Sequence, residues 1–315
     1  MRLRAAAFQS LMMSTKNNCC AYCGVAAIDH VKLKMCDGGC DLVKYCSDDC
    51  QKNYRERHEE ECKKRVEELR DVELFTKPDS SHLGECPICF LPLSLDPRKS
   101  TMMGCCGKII CNGCHYANQK REIEEGLERR CAFCREPVAL SKKEADERIL
   151  NRVKKNDPVA MTEMGKHRRD KGDYEGALQY WTRAVEFGGV QAHDALALLY
   201  HKGEGVEKDI KKKVYHLEQA AIGGHPYARH MLGIEEAGDG RYKRAKKHFM
   251  IAANLGFHDS LKWLMKFYEY GHASKEDYAS ALSAYQAAVD ATKSPERERA
   301  EEAERAGEIA ITRFL

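Results

Sequence analysis

Sixteen cysteines carry the most evident chemistry in this chain of 315 residues, and all of them lie between Cys19 and Cys134. They recur in close pairs: Cys20 and Cys23, Cys36 and Cys40, Cys46 and Cys50, Cys86 and Cys89, Cys111 and Cys114, Cys131 and Cys134. The 181 residues after Cys134 contain none, whereas cysteines serving only as core filler would be spread along the whole chain. The opening "MRLRAAAFQSLMMSTKNN" is basic, but its apolar stretches are too short and broken for a secretory signal. Paired cysteines without such a signal argue for metal thiolates over disulfides, and for a location inside the cell, cytoplasmic or nuclear. The first eight candidate ligands end in His58-x3-Cys62 and make up two closed tetrahedral zinc sites, a composition of structural rather than catalytic zinc.

Elements must bring those ligands together. In "CSDDCQKNYRERHEEEC" the ligands stand four apart, a spacing that places them on one face of short helical segments. Order, ligand identity and the terminal His-x3-Cys of residues 19–62 resemble the MYND zinc finger. The resemblance implies an interleaved arrangement, with Cys20, Cys23, Cys46 and Cys50 around one zinc and Cys36, Cys40, His58 and Cys62 around the other. It also implies docking of short proline-containing peptides. Cys19 is left over, or stands in for Cys20 at the loss of the two-residue gap. A module of about 45 residues cannot bury enough apolar surface to fold alone, so zinc must supply much of its stability.

The second module, residues 86–137, opens with "CPICF", carries "GCCGKIICNGC" in its middle and closes with "CAFCR". It resembles a RING finger, whose cross-brace implies one zinc on Cys86, Cys89, Cys111 and Cys114. The other zinc has Cys131 and Cys134 and needs two more ligands. Cys106 stands at the RING cysteine position, but Lys108 occupies the histidine position and cannot ligate while charged. The doubled cysteine offers both missing thiolates, Cys105 and Cys106, with the glycines at 104 and 107 placed to permit the bend. His115 is the competing ligand. Four zinc ions are expected in all. By resemblance, Ile88, Arg135 and Pro137 match residues with which active RING fingers hold a ubiquitin-conjugating enzyme. The closing "CAFC" departs from the common Cys-Pro-x-Cys, and the stretch from His115 to Arg130 has no tryptophan, leaving Ile123 and Leu127 for its apolar contact. None of the groups is a nucleophile and the zinc sites have no open position, so such a module could only hold and orient a reactive partner.

Residues 63–85 read as a helical linker ending at Pro78, and 138–156 as a linker helix. From 157 to 291 small residues recur at matching places: Ala160, Ala192, Ala228 and Ser260 begin four blocks, and Ala184, Ala220, Ala252 and Ala287 mark their second halves. Each block reads as a helical hairpin, with glycines at 188, 224 and 256 as C-terminal caps. "ALALLYHKGEGVEKDIKKKVYHLEQAAIGGH" resembles a Sel-1-like repeat, a relative of the tetratricopeptide repeat, which implies a solenoid that binds proteins or peptides. The histidines of this region follow no ligand spacing and read as surface, as do Lys211, Lys212, Lys213 and the run from Lys243 to Lys247. Residues 292–315 read as a charged C-terminal helix, and 1–18 as a disordered N-terminus.

The fold class is therefore small zinc-stabilised α+β modules followed by an all-α helical-repeat solenoid. The formal charge of +3 gives no reason to expect a nucleic-acid partner, and no apolar run is long enough to cross a membrane. Proteins or peptides are the expected partners. Two functions fit: a RING-type ubiquitin ligase whose repeats or first finger choose the substrate, and a non-catalytic zinc-finger adaptor.

Overall fold

The structure is a computed structural model that describes residues 19–25, 27 and 32–307. The segment expected to be a disordered N-terminus, 1–18, and the last residues of the expected C-terminal helix, 308–315, lie outside the described residues. Two compact units divide after Thr76.

In the first unit β1 (Lys34–Met35) pairs antiparallel with β2 (Lys44–Tyr45), with Lys34 opposite Tyr45. A single helix follows, α1 (Asp48–Phe75), 28 residues long. Its start is set by Ser47, whose side chain accepts the Cys50 N–H, and by Asp48 and Asp49 in the positive first turn. The sequence pattern led to short helical segments and a separate linker from residue 63. The helix instead runs through Cys50, His58 and Cys62 into "KKRVEELRDVELF" without a break, because no glycine or proline interrupts that stretch. Its centre is Cys20, Cys36, Cys40 and Tyr45, with Tyr54 and Val66 against them, so three of the four fully buried core residues are cysteines.

The second unit begins with the other cysteine-rich module. There β3 (Ser100–Met102) pairs antiparallel with β4 (Ile109–Cys111), Ser100 facing Cys111, and α2 (Asn112–Glu124) follows directly. Next come α3 (Lys142–Lys154) and four helical hairpins: α4 (Pro158–Asp170) with α5 (Tyr174–Glu186), α6 (Val190–Lys202) with α7 (Ile210–Ile222), α8 (Pro226–Gly238) with α9 (Tyr242–Asn254), and α10 (His258–Glu269) with α11 (Lys275–Asp290). Finally α12 (Pro295–Ala306) starts at a Ser294 cap and ends at the left-handed Gly307. Among the described residues no helix is long and apolar enough to cross a membrane.

The repeat period is visible as packing. Ala160, Ala192, Ala228 and Ser260 are all fully buried where successive helices touch, and so are Ala184, Ala220 and Ala252. Each hairpin hands over to the next by the same turn: Gly189, His225 and Phe257 donate their N–H groups to the carbonyls of Ala184, Ala220 and Ala252 at 2.9, 2.9 and 3.0 Å. The residue before each donor is a glycine or lies beside one, and Gly188, Gly224 and Gly256 adopt the positive φ that closes a helix this way. The last block departs from the sequence reading. Ala287 is exposed, and the buried small residue of that helix is Ala281, with Ala288 reaching Gly256. The three-residue longer α11 shifts the register, which spacing along the chain could not reveal.

Two further sequence readings change. His248 and His230 are buried rather than on the surface, and His230 packs on Phe249 and Phe257 and shares a 3.0 Å hydrogen bond with Ser260. Lys213, read as a solvated face, is buried and paired with Glu235 at 2.7 Å.

Candidate metal centres

Three local loops of the same design position six of the sixteen ligands. In each, the first cysteine's carbonyl accepts the N–H four residues on, and its own N–H reaches the carbonyl five residues on: Cys20 with Gly24 and Val25, Cys86 with Phe90 and Leu91, Cys131 with Arg135 and Glu136, at 2.8–3.0 Å. The fourth-on residue must then be left-handed. Gly24 has φ 75°, Phe90 58° and Arg135 64°. Only the first is a glycine, so Phe90 and Arg135 hold a conformation that costs a side chain roughly 1 kcal/mol or more.

The remaining ligands come from regular elements or from the turns beside them. Cys36 follows β1, Cys40 and Cys46 flank β2, and α1 supplies Cys50, His58 and Cys62, with about two turns and then about one turn between them. In the second module Cys111 ends β4, and its sulfur accepts the N–H of Cys114 in the first turn of α2 at 3.5 Å. The adjacent Cys105 and Cys106 lie on the turn between β3 and β4. Met103 closes that turn by accepting the N–H of Gly107 at 2.7 Å. The bend falls on Gly107, with φ 71°, and not on Gly104, whose backbone is ordinary. A Cβ at 107 would collide with the Arg152 guanidinium stacked on it.

These elements bring sixteen side chains into four groups: Cys20, Cys23, Cys46 and Cys50; Cys36, Cys40, His58 and Cys62; Cys86, Cys89, Cys111 and Cys114; Cys105, Cys106, Cys131 and Cys134. Within each group all ligand atoms lie within 4.8 Å of one another. The closest sulfur pairs stand at 3.5 and 3.6 Å in the first group, 3.7 Å in the second, 3.8 Å in the third, and 3.4 and 3.9 Å in the fourth. Zinc–sulfur bonds of about 2.3 Å place sulfurs about 3.8 Å apart on a tetrahedron's edge, whereas a disulfide would need about 2 Å. His58 presents Nε2 to Cys40 at 3.0 Å. Every cysteine is free, and Cys19 stands outside the groups.

The electrostatics also fit a dication. Four thiols so close cannot all ionise by themselves. Hydrogen bonds to Cys23 and Cys50 push Cys46 up to about 12, and burial, aided by Cys40 and Cys36, pushes Cys62 up to about 12. Cys105 and Cys114 are held protonated well above the thiol range by bonds to Cys106 and Cys111. In the same two groups Cys86 and Cys131 are pushed far down by the thiols that donate to them, chiefly Cys111 and Cys105. The third and fourth groups thus hold ready thiolate and trapped thiol together, and a bound Zn²⁺ would release the trapped protons. The residues present fit four zinc ions, each in a closed four-ligand site.

His115, the alternative ligand, does not join the fourth group. Its ring is buried in the wall of a cavity of about 70 Å³ that Cys105 and Cys131 also line, and neither ring nitrogen has a protein partner. Lys108 is not among the ligands and lies over the Phe133 ring, 5.9 Å from its centre.

The three conjugating-enzyme contact candidates fare differently. Ile88 is 37% exposed at the tip of its loop. Arg135 is exposed, and its guanidinium donates to Asn118 Oδ1 at 2.6 Å. Pro137 is half-buried, and its carbonyl accepts from Arg148 at 2.5 Å. Ile123 and Leu127 are both exposed on or after α2. Sequence spacing gave no hint of Phe90, which is 72% exposed on a left-handed backbone. Its place after the second cysteine, equivalent to Gly24, was the available signal.

Gly38 gives a sharp check on the second group. A Cβ there would lie 2.7 Å from Cys62 Sγ, so Gly38→Ala must displace a ligand sulfur. The expected result is about tenfold weaker retention of one zinc ion, read by chelator competition, with the other three unchanged.

The MYND finger family model matches residues 20–62. No curated protein matches the chain. Similar solved structures include a Sel1 repeat protein from Oxalobacter formigenes, 28% identical, covering 49% of this chain and 66% of that one at a TM-score of 0.42. Another is a protective antigen of uropathogenic Escherichia coli displaying an SLR fold, 20% identical, covering 56% of this chain and 38% of that one at a TM-score of 0.40. The chain spans less than two thirds of either protein's length. Its architecture is a zinc finger that matches the MYND model, a second four-pair cysteine module and a stack of helical hairpins.

Proposed function

We propose that this chain is an intracellular zinc-binding protein-interaction protein whose module at 86–137 acts as a RING-type ubiquitin ligase, with the repeats or the first finger selecting the substrate. Zinc would be held by the four groups of side chains described above, and its contribution is to fix two loops at a set separation. The observation that carries the reading is the pair of left-handed loop residues, Phe90 and Arg135, each placed directly after a metal-binding pair and each presenting its side chain to solvent. Strain of this kind persists where the surroundings impose it and the exposed side chain has work to do. Ile88 and Phe90 on one loop, with Phe133 and Arg135 on the other, form apolar and basic contacts of the kind a conjugating enzyme would meet.

A second reading, a non-catalytic adaptor, is favoured by one observation. Arg135 is already bonded to Asn118, at a place on α2 where an apolar contact would serve an enzyme partner better. The two readings separate on discharge of ubiquitin from charged conjugating enzymes by the full chain. Ile88→Ala removes an exposed side chain and leaves the fold intact, so at least a tenfold loss of discharge is expected, the equivalent of about 1.4 kcal/mol of lost contact. Absence of discharge by the zinc-loaded natural chain across a broad enzyme panel would leave the adaptor.

A further inference from the structure

We infer that Arg297, on the helix that ends the repeat stack, is a positioning residue for the metal site of Cys86, Cys89, Cys111 and Cys114, and that zinc loading there is coupled to docking of α12. This goes beyond the ligase reading and does not depend on it.

Arg297 lies 208 residues from Cys89 along the chain and is nonetheless built into the site. Its side chain is 8% exposed. One terminal nitrogen donates to the carbonyls of Pro92 and Thr292, both at 2.7 Å. The other donates to the carbonyl of Leu91 at 3.1 Å and to the sulfur of Cys89 at 3.4 Å. Pro92 and Leu91 belong to the same loop that carries Cys86 and Cys89, so a single guanidinium grips the loop by its backbone and by its ligand.

The helix behind the arginine is pressed equally close. A Cβ on Gly113, between the ligands Cys111 and Cys114, would come within 2.8 Å of the Arg297 backbone nitrogen, so glycine there lets the two helices touch backbone to backbone. Lys99 and Glu301 add an ion pair at 2.8 Å across the same junction. Ser294 accepts the Arg297 N–H at 3.3 Å, fixing the first turn from which the side chain extends.

Charge explains why these contacts should respond to metal. Zinc with four thiolates is doubly negative, and a buried guanidinium bonded to one of the sulfurs offsets part of that charge. Without the ion nothing ties the loop of Cys86 and Cys89 to Cys111 and Cys114, and the acceptors it offers Arg297 lose their fixed place. A guanidinium buried away from water without well-placed acceptors is costly, so release of the ion weakens the seat of α12. Linkage makes the coupling reciprocal, so a docked α12 tightens zinc and zinc tightens α12.

The test uses the full chain, zinc release by graded chelator, alkylation mapping of which cysteines become reactive, and hydrogen exchange of the amides in 295–306. For Arg297→Gln, the expected result is that Cys86, Cys89, Cys111 and Cys114 become reactive at chelator strengths at least about tenfold lower, with the first module's cysteines unmoved. Arg297→Lys should recover part of the loss by restoring charge without the fork. Arg299→Ala, on the same helix and exposed, should change nothing. In the natural chain, protection of 295–306 should fall in step with release of that one ion. Equal chelator resistance in the natural chain and Arg297→Gln would overturn the inference, and so would α12 amides that stay protected after the four cysteines have reacted. The second measurement needs no variant, so a chain that fails to fold with Gln at 297 still leaves a decisive result.

Discussion

Cys131→Ala should leave the chain with three bound zinc ions in place of four, and with residues 86–137 open to protease while the repeats keep their helical circular dichroism. The expectation follows from how little else holds this module. Its buried core is Cys86, Leu93, Met103, Ile110, Cys111 and Cys131, half of it ligands. Cys131 is buried, and its sulfur also accepts the N–H groups of Phe133 and Cys134 at 3.4 and 3.5 Å. Structural zinc is worth about 10–16 kcal/mol in small fingers, more than three apolar side chains can replace at about 1.5–3 kcal/mol each. The repeats contain no cysteine and have separate cores, so their helices should survive. Metal analysis and limited proteolysis provide the check. Retention of four ions would assign His115, in the cavity wall beside Cys131, as the replacement ligand.

Phe249→Ala should cost about 3–5 kcal/mol of repeat stability without touching zinc content. Phe249 is fully buried on α9, stacked on Trp263 at 5.3 Å between ring centres and edge-on to Phe267 at 5.4 Å. Gly233 on the facing helix has no side chain, because a Cβ there would lie 2.6 Å from the Phe249 ring. The truncation therefore leaves a void walled by aromatic rings and backbone, which cannot close by small shifts. Urea unfolding followed at the helical signal measures it. Because neighbouring repeats stack, the lost contact should lower the whole helical transition and not one hairpin alone. A loss under about 1 kcal/mol would mean that the third and fourth hairpins are not packed as described.

The metal centres were legible in the sequence for a physical reason. Ligand chemistry restricts residue type, and loops such as Cys86–Leu91 restrict spacing, so both survive in a one-dimensional pattern. The helical hairpins were legible because small buried residues must recur wherever helices stack closely. The misreadings have equally physical causes. Ala287 matched a spacing but not a face, since α11 is 16 residues long where α5, α7 and α9 have 13. His248, Lys213 and Arg297 look like surface residues in a sequence, and their burial depends on partners supplied by other helices.

By itself the sequence determined which residues could bind metal, how many ions they could hold, and that a cysteine-free stack of helices follows. Only the tertiary structure decided that Cys105 and Cys106 share one site without His115, that Phe90 and Arg135 are forced into left-handed backbone, and that the last helix reaches back to Cys89. Composition and spacing act within a few turns of chain. Contacts between residues two hundred positions apart are selected by packing and charge in three dimensions, where a buried guanidinium must find its acceptors or the helix that carries it cannot dock.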